Sequence, residues 1–350
     1  MLRDPAGGRI RCAGLRRTVV SAASVARAAP AGYRAGIARG GTLVVMTETM
    51  TWAPAEITPS DGPLPGLLAG RLDELLLSAG AVVFRGFGIT PAALDGVLDR
   101  VLRDRLAYVH GNSPRSHVGD RVYTSTEYPA EHTISMHNEL SYSARWPARL
   151  AFYCETAPGS GGATPVVSGA AWLAALPPGL RAAFAGGVRY TQNLHDGHGF
   201  GKSWQETFET AGRAEVEKYL AGMPGTTWEW KRDGGLRITQ VRPATVTHPV
   251  TGTEVWFNQA DQWHHAALGD ETAAALARIM PEEDLPQHVT FADGSPIDPA
   301  YVLEIRDRGL AAAVDVDWRA GDLLVVDNVL VAHGRRPYSG PRRVLVAMSG

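Results

Sequence analysis

Apolar residues recur at helical spacing in PLPGLLAGRLDELLLSAG (63–80), where Leu67, Leu68, Leu72 and Leu75–Leu77 fall on one side and Gly80 closes the run. The next segment, AVVFRGF (81–87), changes to consecutive β-type residues and predicts a short buried strand. Thr90 followed by Pro91 supplies a cap and a first-turn proline, so AALDGVLDRVL predicts a helix. Beyond residue 148 the pattern shortens. RLAFYCETA (149–157), the stretch after GSGGAT, VRYTQNL (188–194), LRITQVRPATVTHP, TEVWFNQ, VDVDWRAGDLLVVDN and RRVLVAM all read as strands. AAWLAALPPGLRAAF (170–184) predicts helix on both sides of Pro177–Pro178, and ETAAALARIM (271–280) predicts another. HDGHGFGKSWQETFETAG (195–212) reads as a loop with a helical middle, a candidate lid. Many short strands with Gly/Pro turns and helices packed outside predict a mostly β, α+β chain built as a jelly roll.

Composition narrows the class. The chain has 350 residues, 45% hydrophobic and 20% charged, as expected of an ordinary globular protein. It contains no apolar run long enough to span a membrane. A net charge of −2 gives no case for nucleic acid as a partner. The two cysteines, Cys12 and Cys154, form no C-x-x-C pair, which speaks against zinc and disulfide frameworks and fits a reducing cytoplasm. Residues 1–45 differ from the rest: eight Arg and one Asp give +7, leaving −9 for the remainder. We read 1–45 as a disordered extension or an over-long gene start, with a transit-like peptide or a basic arm as the functional alternatives. Residues 46–350 are expected to form a single domain, because the candidate ligands come from both its halves.

The candidate chemistry lies in SMHNELSY and in DNVLVAHGRRPYSGPRR. On a strand, His137 and Glu139 would point to one face. A distant His333 could complete a 2-His-1-carboxylate triad, which holds Fe(II) on one side and leaves positions open for a co-substrate and O2. An H-x-E pair alone is weak, since a half-buried strand histidine is more often a hydrogen-bonded structural residue than a ligand. Three neighbours strengthen the reading. His333 follows the apolar strand DLLVV. Arg342 and Arg343 lie nine and ten residues beyond it and could clamp the far carboxylate of a dicarboxylate co-substrate. Thr164 follows a Gly-Gly turn and could share that carboxylate.

With these residues in place the chain resembles the TauD/TfdA group of Fe(II)- and 2-oxoglutarate-dependent dioxygenases over about residues 65–350. FRGFGITP, HNE with GGAT downstream, and WRAGDLLVVDN-x4-H-GR-x-P-Y with a closing RR carry the resemblance. It implies a double-stranded β-helix. It implies iron ligands His137, Glu139 and His333, with Thr164 and Arg343 on 2-oxoglutarate and Arg342 as the alternate in the other register. Only one of the two arginines should enter the pocket, because neighbours on a strand face opposite ways.

Two departures narrow the branch. The taurine and chlorophenoxyacetate enzymes resemble an H-x-D pattern, whereas Glu139 is similar to the clavaminate-synthase-like and SyrP-like members. Ala347 stands four residues after Arg343, where the taurine enzyme has a sulfonate-binding arginine. The branch implies hydroxylation of an amino acid or amino-acid-derived natural-product intermediate, a small molecule delivered free or on a peptidyl carrier protein. Desaturation or cyclisation by the same oxidant, and a non-catalytic ligand sensor, are the alternatives.

Other residues carry weaker readings. Ser125, Leu140, Asn258 and Trp204 are candidate substrate contacts. Asn138 is expected to be structural. Asp327–Asn328 is expected to orient the His333 strand through hydrogen bonds. The pairs His195/His198 and His264/His265 read as loop and packing residues. No G-x-S-x-G elbow, P-loop or dinucleotide fingerprint is present.

Overall fold

The apolar strands of the second half need cover on both faces, and the chain provides it with two sheets and two helical layers. The computed structural model describes residues 52–107, 116–125 and 128–350, together with a separate antiparallel ribbon of Arg34–Ile37 and Leu43–Met46. Apart from that ribbon, the expectation for residues 1–45 lies outside the described residues. Pro54–Gly350 forms one unit.

Its larger sheet runs, edge to edge, Ala55–Ile57, Ala81–Phe84, Leu323–Asp327, Arg149–Thr156, Arg343–Ser349, Val122–Thr124 and His117–Gly119. Only the first pair is parallel. The smaller sheet runs Val314–Val316, Thr164–Ser168, Val331–Arg335 and Ile134–His137, all antiparallel. The two face each other: the ring of Phe152 on the larger sheet lies 4.9 Å from that of His333 on the smaller. This is the jelly roll.

Strand alternation divides the residues between layers. The outer face of the larger sheet offers Val82, Phe84, Ala151, Tyr153, Leu323, Val325, Leu345 and Ala347. They pack under helices Leu64–Gly70, Leu72–Ala79 and Leu94–Val101. The predicted helix over 63–80 is thus two helices, broken at Arg71, with Gly80 (φ +72°) as the left-handed stop. The outer face of the smaller sheet, with Met136, Val167 and Ala332, packs on a second core built around Trp172, Phe184, Tyr190, Trp256 and Trp263. Helices Gly169–Ala175 and Pro178–Ala183 flank Pro177 as expected.

The longest helix, Pro299–Ala312, escaped the hydrophobic pattern. Its start signals are sound, with the Asp298 side chain accepting from Ala300 N–H at 2.8 Å and proline in the first turn. Its buried face is narrow, only Val302, Ile305 and Gly309. Gly309 is needed there: a Cβ would stand 2.7 Å from the Trp172 ring. A satellite sheet of Thr226–Trp230, Leu236–Arg242, Val188–Leu194 and Gln287–Phe291 completes the unit.

Candidate metal centre

His333 and His137 are directly opposite partners in the antiparallel ladder of the smaller sheet. Side chains so paired stand side by side on one face, and the two imidazole centroids are 4.3 Å apart. Nδ1 of His137 lies 3.0 Å from the Ser135 carbonyl. The same Nδ1 lies 3.2 Å from Gln262 Nε2, so it is engaged by the protein and Nε2 is left as the donor atom for a metal. Gln262 donates to the same carbonyl at 3.0 Å.

Glu139 arrives differently from the expectation. The strand ends at His137, and Glu139 lies in the following turn, before Leu140 at φ +57°. The i, i+2 strand geometry therefore does not place it. What places it is Asn328, whose Oδ1 accepts from Glu139 N–H at 2.7 Å and whose Nδ2 donates to Glu139 C=O at 3.0 Å. The expected role of Asp327–Asn328 divides: the Asn328 amide serves the Glu139 turn, while Asp327 Oδ1 accepts from Val329 and Leu330 N–H at the head of the His333 strand. All three side chains are buried, at 3–6% exposure. Their ligand atoms lie within 4.8 Å of one another, and they are the one such group among the described residues. Two imidazoles and one carboxylate at that spacing fit a single ferrous ion.

A narrow cavity opens beside the histidines, lined by Ser125, Ile134, His137, Phe152, Thr164, His333, Gly334, Arg335, Arg342 and Val344. Of the two candidate arginines, the one that lines it is Arg342. Arg343 faces outward, half exposed, with Nε 2.7 Å from Glu155. Of the two arginines expected to compete for the co-substrate, the alternate, Arg342, thus faces the cavity and Arg343 does not. Arg342 donates from Nε to Gly162 C=O at 3.1 Å and from Nη1 to Ser125 Oγ at 3.3 Å. Burial, aided by nearby Arg335, brings its pKa down to about 10, so it is still a cation at neutral pH. Thr164 is buried opposite, and its Oγ1 accepts from Trp318 Nε1 at 3.0 Å. With that lone pair occupied, the hydroxyl hydrogen is available to an anion in the cavity.

The same alternation revises the neighbouring position. Ala347 faces the helical layer, and the inward residue four after Arg342 is Val346. Either way, the position carries no cation.

Three candidate substrate contacts do not line the cavity. Asn258 is fully buried in a turn, donating to Ala244 C=O at 2.9 Å and accepting from Ala260 N–H at 3.1 Å. Leu140 packs in the Trp172 core. Trp204 is buried in a cluster with Leu194, Phe208 and Leu236, its ring 5.3 Å from that of Trp230, away from the cavity it was expected to contact. Ser125 does line the cavity, as a partner of Arg342. His264 is buried and bonded to Ile297 C=O, and His198 is exposed.

Sequence reasoning missed Arg335, which lies two residues after His333 and is 4% exposed. It donates to the carbonyls of Tyr128, Pro129 and His132 at 2.7, 2.5 and 2.9 Å. It also missed the role of Trp318. The G-R after the histidine and the Trp before R-A-G-D were visible signals without a partner.

A family model described as Taurine catabolism dioxygenase TauD, TfdA family matches residues 49–348. The chain belongs to that family. The dioxygenase uses Fe(II) and 2-oxoglutarate, and its His-Glu-His group has the donors that chemistry requires. It is 37% identical over 279 residues, 79% of its length and 84% of the other's, to the dapdiamide synthesis protein DdaC of Enterobacter agglomerans. It is 33% identical over 288 residues, 79% of its length and 83% of the other's, to a clavaminate synthase-like protein of Arabidopsis thaliana. Among solved structures it resembles PvcB of Pseudomonas aeruginosa, with a TM-score of 0.50 over 92% of this chain and 93% of that one. At 15% identity that likeness speaks to the fold alone. Among the described residues of the dioxygenase, no helix is long and apolar enough to cross a membrane.

Proposed function

We propose that this dioxygenase hydroxylates an unactivated C–H bond of an amino acid or an amino-acid-derived natural-product intermediate. The observation that carries the reading is the join between the His137–Glu139–His333 group and the cavity holding Arg342 and Thr164. In this reading the triad holds the ion by one side. Arg342 and the Thr164 hydroxyl bind the far carboxylate of 2-oxoglutarate, and Ser125 and Gly162 hold the guanidinium in place. Phe152, Ile134 and Val344 keep water from the anion. Fe(II) with 2-oxoglutarate and O2 supplies the oxidising power for such a bond, with succinate and CO2 as co-products.

The substrate class rests on two supports. The relative from Enterobacter agglomerans is named for dapdiamide synthesis. And the position four residues after the pocket arginine is Val346, which offers nothing to a sulfonate. Delivery on a peptidyl carrier protein is part of the proposal.

The test is an anaerobic titration of Fe(II)-loaded protein with 2-oxoglutarate, following the visible charge-transfer band of the complex. Free amino acids, their carrier-bound thioesters and taurine are then added in turn. A band shift and succinate release with an amino-acid compound support the reading. A response to taurine alone defeats it. A product with two hydrogens fewer and no added oxygen moves the reaction to desaturation or cyclisation.

A further inference from the structure

We propose that Asn328 is a positioning residue for the metal centre, its side-chain amide acting as a substitute peptide group that holds the Glu139 turn against the two histidines. The inference rests on the metal-site reading above.

Glu139 needs such a hold. His137 and His333 both lie on strands and are fixed by the ladder between them. Glu139 has no such rung, because the strand ends at His137 and the chain turns through Leu140 at φ +57°. A leucine in that region costs about 1 kcal/mol or more, so the turn persists only if its surroundings impose it. Asn328 imposes it. Its Oδ1 takes the Glu139 N–H, and its two Nδ2 hydrogens go to the carbonyls of Glu139 and Pro147, the latter at 2.8 Å. Its own carbonyl accepts from Asn138 Nδ2 at 2.6 Å, and its N–H donates to Ala148 C=O at 2.9 Å. Asn138 C=O accepts in turn from Gln259 Nε2 at 2.6 Å. Both asparagines are fully buried.

The neighbouring residue anchors the anchor. Asp327 Oδ1 accepts from the N–H groups of Val329 and Leu330, both at 2.9 Å. Its Oδ2 lies 3.1 Å from Nε2 of His248, whose Nδ1 accepts from Thr251 N–H. Nε2 therefore carries the proton and donates.

The job demands an amide. It needs one acceptor and two donors in one plane, in a space closed to water. Aspartate has no donor, and serine cannot reach both groups. Without Asn328, Glu139 N–H and C=O would each lose the hydrogen bond it supplies in a buried site, and the turn would move to find water. Its carboxylate would move with it.

The experiment is anaerobic titration of the full-length apoprotein with Co(II), read by calorimetry and the cobalt absorption band, so that no turnover is needed. Asn328→Ser is expected to weaken Co(II) binding 10–100-fold. At saturating Co(II) it should leave the affinity for 2-oxoglutarate unchanged, because Arg342 and Thr164 are untouched. Leu98→Ala, in the helical layer over the larger sheet, is the control for general destabilisation and should keep wild-type Co(II) affinity. Should Asn328→Ser fail to fold, Asn138→Ala removes an outer rung of the same clasp and should weaken Co(II) several-fold. Wild-type Co(II) affinity in a folded Asn328→Ser or Asn138→Ala protein overturns the proposal, and so does equal weakening in Leu98→Ala. If the wild-type protein binds no Co(II), or His137→Ala binds it equally well, the metal-site reading falls and this inference with it.

Discussion

Arg342 and Arg343 are adjacent and chemically identical, so exchanging each for glutamine isolates the effect of facing the cavity. Arg342 spends two of its five N–H groups on Gly162 and Ser125, which leaves three for a ligand. It is buried and cationic, beside a second buried guanidinium at Arg335. Truncating one partner of a buried charged pair costs about 2–5 kcal/mol. A central figure of about 3 kcal/mol corresponds to roughly a hundred-fold in Kd for 2-oxoglutarate. Arg343 has only a partly exposed ion pair with Glu155. Such a pair contributes about 0–1 kcal/mol to stability, and its loss should leave 2-oxoglutarate binding where it was. The assay is titration of Fe(II)-loaded protein with 2-oxoglutarate, backed by KM from succinate release. A mono-acid such as 2-oxobutyrate lacks the far carboxylate, so its binding should be insensitive to Arg342→Gln. A hundred-fold rise in KM from Arg343→Gln with none from Arg342→Gln would refute the strand assignment. Equal loss of both ligands in Arg342→Gln would refute the carboxylate clamp.

Trp318→Phe removes the donor that orients the Thr164 hydroxyl, and should raise the 2-oxoglutarate KM about five- to ten-fold, the worth of one hydrogen bond, without changing metal affinity. The affinity for 2-oxoglutarate should be flat up to about pH 10 and fall above it, because the dianion needs the charged form of Arg342, whose pKa is held down to about 10 by burial; equilibrium dialysis across that range reads it. Burial pushes the carboxyl of Asp261 up from 3.8 to about 7. A raised acid is destabilising wherever the unfolded chain would ionise it, so the penalty is absent below pH 4, grows to pH 7 and stays constant above. Asp261→Asn should therefore be neutral for thermal stability at pH 4 and stabilising by roughly 2–4 kcal/mol at pH 8. Adding Fe(II) or Co(II) at a hundred times Kd should stabilise the wild-type protein by about 2.7 kcal/mol and Glu139→Ala by far less, as read in a denaturation curve.

The fold class was legible because its signals are local. Strands such as 149–156 and 323–327 are runs of apolar residues bounded by turn residues, and nothing competes with that pattern. The helix Pro299–Ala312 was not, because it buries only a thin stripe and its middle carries four charged residues, Glu304, Arg306, Asp307 and Arg308. Trp204 was misplaced for a related reason. An aromatic residue in a Gly-rich loop looks mobile in sequence, yet the satellite sheet gives it a core of its own with Leu236 and Ile238. That core depends on Leu236 pairing with Leu194, a register that residue types do not encode.

The site divides along the same line. Which residue types gather at the site was readable from type and order: two histidines, a glutamate, a threonine and one of two adjacent arginines. Where they point was not. Choosing between Arg342 and Arg343 requires knowing which face of the final strand turns inward: Val344 lines the cavity while Leu345 and Ala347 pack under the helices, so Arg342 is the inward one. That face is set by which side of the larger sheet the helices cover, a long-range fact that two adjacent arginines do not reveal. Glu139 failed the other way: its residue was right, but the rule that located it assumed a strand continuing two residues beyond its end. The carboxylate reaches the histidines because an amide 189 positions away replaces the missing rungs. Ligand identity is thus carried by local sequence, while ligand geometry is carried by pairings across long separations. A substitution at Asn328 should therefore disturb the iron site about as much as one in a ligand's own neighbourhood.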